Sequence, residues 1–287
     1  MTEDLSSFME GLTNLPSPPT LLTRIDSLLE EPTPDLQQLS ELMQLDAALS
    51  SKLLHLCNSP FFGLNRQVTT VRQATVLLGA NMLRNVVMSA SVFGSIEAER
   101  ELSAKDMDCF WAHSMATAII ARELSAHRGD ATPEAFFLGG LLHDVGQLVI
   151  ASFIGGARYR AIARADQGLS LDLCAHERRA LGMSHAEVGE QLGLKWGFPE
   201  LFVEVIVGHH DVPEEQSSGM GAVARRRIAQ ADELARRLGH PSPLEHAAVG
   251  EGLVGLEPDL LPVVERLMEN LDEELGRLVE PFRQASF

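Results

Sequence analysis

Aromatic side chains are scarce in this chain. Phe, Trp and Tyr together make up 5% of its 287 residues, with a single tyrosine. Runs that alternate Val, Ile, Thr or Tyr with polar residues, the mark of half-buried strands, are equally rare, which argues against a β-rich fold. The three cysteines, Cys57, Cys109 and Cys174, lie far apart and form no CxxC pair. That spacing points to a reducing compartment and no disulfide framework. The first residues, Met1-Thr-Glu-Asp-Leu-Ser6, lack the basic stretch and apolar run of a secretory signal. The most apolar segment, Phe136 to Ile154, is interrupted by His143, Asp144 and Gln147, so it reads as a buried helix rather than a membrane span. The cytoplasm is the expected location, with no membrane association.

Basic charge is also short: 23 Lys and Arg against 40 Asp and Glu, a net charge of −17. A surface this negative repels phosphate backbones, so no direct nucleic-acid binding is expected. Arg225 to Arg227 are consecutive, and Arg178–Arg179 and Arg236–Arg237 are paired; such runs on helices read as solvated faces. Arg225 lies seven residues before Asp232, hence on the same helix face two turns away.

What the chain does have is Leu, Ala, Glu and Arg at helical spacing, and an all-α fold follows. Residues 1–14 read as a leader. Leu21, Leu22, Ile25, Leu28 and Leu29 fit a first helix after Pro16, Pro18 and Pro19. Thr33-Pro34 supplies an N-cap and first-turn proline for a helix over roughly 34–45. Further helices are expected at Ala47 to Leu56, 71–78 and 80–93. Ser103 with Asp106 opens a long helix, 104–127, and Thr132-Pro133 opens the helix that carries His143 and Asp144. Ser184 with Glu187 is a capping box that sets His185 in a first turn, and Pro199 opens a helix running into His209–His210. A helix over 223–238 carries Asp232. Beyond Pro241, Leu260, Val264, Leu267, Leu271, Leu275 and Leu278 recur at helical spacing. They predict an amphipathic terminal helix, packed on the body or used in a dimer or partner contact. The expected organisation is a helical subdomain over 15–100, a second over 101–240 and a C-terminal extension over 241–287.

An imidazole and a carboxylate side by side in an apolar helical run are costly to bury unless they meet a metal or polar partners. His143–Asp144 is such a pair, and His113, His185, His209, His210 and Asp232 accompany it along the chain. His113, His143, Asp144 and Asp232 would supply two imidazoles and two carboxylates, a set suited to Fe or Mn, with Zn or Mg as further choices. His185, His209 and His210 would build a second position around Asp144. Two ions roughly 3.5–4 Å apart would polarise a phosphoryl group and activate water. His55, His127, His176, His240 and His246 fall into no comparable pattern.

The order His113, His143-Asp144, Asp232 resembles the signature of the HD superfamily of metal-dependent phosphohydrolases. With His185 and His209–His210 added, it is similar to the metal positions of the HD-GYP branch. Leu15-Pro16, Asp46, Leu53-Leu-His-Leu-Cys-Asn58-Ser-Pro60, Gln73-Ala-Thr-Val-Leu-Leu-Gly79, Leu181-Gly-Met-Ser-His185-Ala-Glu-Val-Gly189 and Trp196-Gly-Phe-Pro199 resemble the HDOD family, the HD-related output domain. That resemblance covers about residues 12–240. It implies an HD-type helical bundle behind a small helical subdomain, and a regulatory module of bacterial signalling that works through a protein partner. It implies one or two divalent ions held by the residues above, and a nucleotide as a conceivable ligand.

The chain departs from the active HD-GYP pattern. Gln147 stands four residues after His143, where that pattern has a lysine, and Asp211-Val-Pro213 replaces the GYP segment. Cys109 sits one turn before His113, where some relatives have a glutamate. A neutral Gln147 cannot offset charge on a transferring phosphoryl group. The expectation is therefore metal binding without efficient cleavage of a cyclic dinucleotide, with metal-dependent phosphohydrolysis as the alternative.

Overall fold

Capping residues mark where the helices begin and end, and no strand occurs among the described residues. The computed structural model describes residues 20–29, 31, 34–58, 67–79, 83, 84, 87, 103–130, 132–163, 173–214, 217–242 and 258–284. The expected leader, and all of the expected 80–93 helix except 83, 84 and 87, lie outside them. The chain divides into two compact units. One includes Glu99–Leu271 and the other comprises Ser17–Ala98 with Asp272–Phe287.

The smaller unit contains α1 (Thr20–Leu29), α2 (Leu36–Met43) and α3 (Ala47–Cys57), and residues 71–79 are helical as well. Leu22, Ile25, Leu39, Met43 and Leu53 are fully buried and form its core. The start of α2 differs from the sequence expectation. Its cap is Asp35, whose carboxylate accepts from the backbone N–H groups of both Gln37 and Gln38, so the helix opens at Leu36 rather than at Pro34. One carboxylate answers two of the orphan donors of a first turn. After α3, the Asn58 amide donates to the carbonyls of Leu54 and Val68 and accepts from Val68 N–H at 2.6 Å. It ties the helix end to the segment ten residues on.

The larger unit holds α4 (Ala104–Arg128), α5 (Pro133–Leu142), α6 (Val145–Ile154), α7 (Gly156–Ala163), α8 (Leu173–Leu181), α9 (His185–Lys195), α10 (Glu200–Gly208), α11 (Met220–Arg237) and the start of α12 (Leu261–Gln284). α4 packs against α5 and α11, α6 against α9, and α10 against both α9 and α11. The capping box of α9 is present in full, with Ser184 and Glu187 each bonding the other's backbone N–H. The stripe Leu260, Val263, Val264, Leu267 and Leu271 of the terminal segment is buried, while the side chain of Leu278 lies outside the described residues.

Two elements break where the sequence pattern runs on. The apolar stretch from Pro133 is not one helix, because His143 and Asp144 form a turn between α5 and α6. Asp144, at φ −100° and ψ 14°, occupies the N-cap of α6 but makes no side-chain cap bond. Its carboxylate is turned toward histidines instead. Likewise α10 ends at Gly208, and His209–His210 lie in the bend beyond it. Hydrophobic periodicity does not register such breaks, since the buried side chains continue on both sides.

Glycines allow the helices that frame these turns to touch through their backbones. A Cβ on Gly140 would lie 2.8 Å from the Ala118 Cα, and one on Gly146 would overlap the His185 carbonyl oxygen. Gly146→Ala must therefore push α6 and α9 apart. Overpacking of this kind costs about 1–3 kcal/mol, so a lower denaturation midpoint is expected in chemical unfolding, together with weakened metal retention because Asp144 and His185 separate.

Candidate metal centre

All seven singled-out residues converge inside the larger unit, and Asp144 stands between two groups of them. Its Oδ2 faces His113 Nε2 at 3.5 Å and His143 Nε2 at 3.4 Å. Its Oδ1 faces His185 Nε2 at 3.5 Å and His209 Nε2 at 3.3 Å. Asp232 joins the first group, with Oδ1 3.4 Å from His113 Nε2 and 3.8 Å from His143 Nε2. His210 joins the second, its Nε2 2.9 Å from that of His185.

The imidazoles are aimed by what their other nitrogens do. Nδ1 of His113 donates to the His240 carbonyl at 2.8 Å, that of His143 to Gly140 at 2.7 Å and that of His209 to Ile206 at 2.9 Å. His185 Nδ1 meets a carboxylate instead, Glu177 Oε2 at 2.7 Å. With Nδ1 carrying the proton, every Nε2 in this set offers a lone pair toward the centre. Such outer partners are the usual means of fixing a metal-ligating imidazole.

Glu177 was not singled out in the sequence. It is fully buried and accepts from the His185 backbone N–H at 2.8 Å as well as from the ring, while its other oxygen accepts from the Tyr159 hydroxyl. A signal was present: Cys174, Glu177 and Leu181 share the buried face of α8, and a carboxylate in an apolar stripe calls for a partner. The arginine pair beside it disguised the segment as a solvated run. Arg236 was also passed over; its guanidinium holds Asp232 Oδ2 at 2.7 Å from one turn away, leaving Oδ1 for the centre.

The site fits divalent ions. His113 Nε2, His143 Nε2, Asp144 Oδ1 and Asp232 Oδ1 are buried and have no hydrogen-bond partner. Leaving such atoms unpaired costs on the order of 1–3 kcal/mol each, which a metal bond would remove. The donor spacing agrees as well: ligands roughly 2.1 Å from one ion lie roughly 3.0–3.5 Å from each other. His113, His143, Asp144 and Asp232 could hold one ion, and Asp144, His185, His209 and His210 another. Once bound, such ions supply Lewis acidity toward a phosphoryl oxygen.

Electrostatics in the metal-free protein follow from burial and from the two carboxylates. Burial alone would lower the His143 pKa, but the charges of Asp144 and Asp232 raise it to about 9. His185 behaves likewise: burial opposes its charge, and Glu177 and Asp144 raise its pKa well above the usual value. Burial works to raise Asp144, yet the charge of His143 and the close imidazoles of His113 and His209 hold it well below the usual carboxylate range. His210 is exposed as a residue, but its ring turns into the cluster, where burial and then His209 and His185 push its pKa down.

Gln147 is fully buried on α6, and its side-chain oxygen accepts from Ser242 Oγ at 2.9 Å. Together with the His240 carbonyl on His113, this makes residues 240–242 a strap over the His113 side. The arginine run is not simply a solvated face: Arg226 bonds the carbonyls of Glu214 and Ser217, and Arg227 pairs with Asp130 at 3.1 Å. Trp111 and Trp196 are buried core residues.

These features are those of an HD-type bundle. The HDOD domain family model matches residues 15–212, and the chain belongs to the HDOD family. A solved HDOD domain protein of unknown function from Geobacter sulfurreducens is 25% identical, with a TM-score of 0.72 over 98% of both chains. A "Putative signal transduction protein" from Marinobacter aquaeolei shares the fold at 19% identity and a TM-score of 0.67, over 99% of this chain and 64% of that one. A relative from Treponema pallidum, an uncharacterised protein, is 27% identical over 74% of this chain, and the matched region is 40% of that protein's length.

Two outcomes follow. Glu177→Gln should weaken metal binding about 10–100-fold, the usual effect of losing an outer-shell carboxylate, measured by competition with a chelator. The raised His143 pKa sets a pH dependence. Protonation of His143 beside the two carboxylates stabilises the metal-free fold in full below pH 6.5, and that contribution is lost as pH rises through about 9. A metal must displace this proton, so affinity should climb with pH until about 9; a flat profile from pH 6.5 to 9 would contradict the assignment.

Proposed function

We propose that this protein is a metal-dependent regulatory module of bacterial signalling, which holds one or two divalent transition ions at the Asp144 centre and acts through contacts with a signalling partner. The observation that carries this reading is the division of the Asp144 carboxylate, Oδ2 toward His113 and His143 and Oδ1 toward His185 and His209. Fe and Mn suit the mixed imidazole and carboxylate set best. HDOD membership supports the signalling role, and the name carried by the Marinobacter relative points the same way. Gln147 supports a binding role over a hydrolytic one: it is neutral and held by Ser242, so it brings no charge to a transferring phosphoryl group.

A second reading, a metal-dependent phosphohydrolase or phosphodiesterase acting on a nucleotide, is favoured by the completeness of the donor set. In that case Asp144 and the imidazoles orient the ions, and Asp232, fixed by Arg236, closes the first position.

Elemental analysis of protein purified anaerobically with Fe or Mn supplied separates these readings when paired with an assay. The expected result is retained metal that falls to background in Asp144→Ala, with no turnover of cyclic dinucleotides or nucleoside phosphates. Robust metal-dependent hydrolysis, abolished by Asp144→Ala, would establish the second reading; no metal in the wild-type protein would remove both.

A further inference from the structure

Three consecutive arginines begin the second turn of α11, and their fates differ. Arg226 and Arg227 are tied to Glu214, Ser217, Asp130 and Gln230. The half-buried Arg225 has a buried Nε with no hydrogen-bond partner, and its guanidinium makes no ion pair with the described residues. A charge-bearing donor removed from water without a partner is costly. Its position is also specific. The side chain lies across Gly208, the residue before His209: a Cβ there would stand 2.5 Å from Arg225 Cδ, 2.9 Å from Nη1 and 3.4 Å from Nε. Only a glycine leaves that space, so the end of α10 is shaped to let a guanidinium rest against the backbone that delivers His209 and His210. Arg225 also shares a helix face with Asp232, seven residues on.

The nearest carboxylate on the facing helix does not compensate it. Glu204, one turn before Gly208, lies against Gly221, one turn before Arg225, and makes no ion pair with the guanidinium. The bend that follows Gly208 carries the exposed His210. His113 and His143 are fully buried and residues 240–242 cover that flank, whereas His210 is exposed. In a chain with a net charge of −17, an anionic ligand is repelled at long range and needs local cations to stay.

We propose that Arg225 is an anion anchor beside the His185–His209–His210 position, its guanidinium sharing a ligand's phosphoryl group with the metal position. The inference rests on the metal-centre reading and adds to it a residue that holds the ligand. The planar guanidinium presents N–H groups in a fork that suits phosphate, and charge-assisted bonds of this kind are the strong ones. An anchor of this sort holds a ligand whether or not it is cleaved, which suits a module that senses.

The test uses the full chain loaded with Mn, its metal content measured first, and inorganic phosphate as the probe in calorimetric titration. Wild-type protein should bind phosphate only when loaded. Arg225→Gln should keep its metal and lose about tenfold or more in phosphate affinity, a loss of roughly 1.4 kcal/mol or more. Arg225→Lys should recover only part of it, since an ammonium lacks the fork. Gly208→Ala, which displaces the arm while keeping its charge, should weaken phosphate as well, with circular dichroism checking the fold of each variant. Equal phosphate binding by loaded wild type and Arg225→Gln overturns this inference and leaves the metal centre standing. Loaded wild type that is silent to phosphate, or binds acetate as tightly, overturns the phosphate assignment. A chain that takes up no metal ends the metal-centre reading itself, and this inference with it.

Discussion

The arrangement of the larger unit depends on one carboxylate. Asp144 lies at 1% exposure with an imidazole group on each of its oxygens, and each imidazole is anchored through its far nitrogen to a different stretch of backbone or to Glu177. Remove the carboxylate and four buried imidazole nitrogens lose the group that they face. The cost of that state explains why the surrounding helices break where they do: α6 gives up its side-chain cap, and α10 stops at Gly208, so that the donors can turn inward.

Much of this was legible in the chain. The polar dipeptide in an apolar stretch, the Ser184 capping box and the scatter of histidines at helix ends were enough to single out the residues that the fold brings together around Asp144. A donor residue is conspicuous because its chemistry disagrees with its apolar neighbours. The partners that hold the donors in place are less conspicuous. Backbone carbonyls such as those of Gly140, Ile206 and His240 have no sequence signature at all. Glu177 and Arg236 look like ordinary helix-surface charges until the facing helix is known. The breaks at His143 and Gly208 were missed for a related reason: a turn that stays buried keeps the hydrophobic pattern of the helices it joins.

The asymmetry between the two halves of the centre has a chemical meaning. The first half is reached by two carboxylates, while the second is dominated by imidazoles, one of which leans on a buried carboxylate. Harder ions suit the former and more borderline ions the latter. Were both halves to take an ion, donor chemistry would tell the two apart even though a single residue joins them.

The backbone contact between Gly146 and His185 has a mechanical consequence. With no side chain between α6 and α9, there is no compressible layer in which either helix can slide. Asp144, two residues before the contact, and His185, at the contact itself, therefore move as one rigid body. Backbone packing alone thus sets the spacing of that part of the cluster.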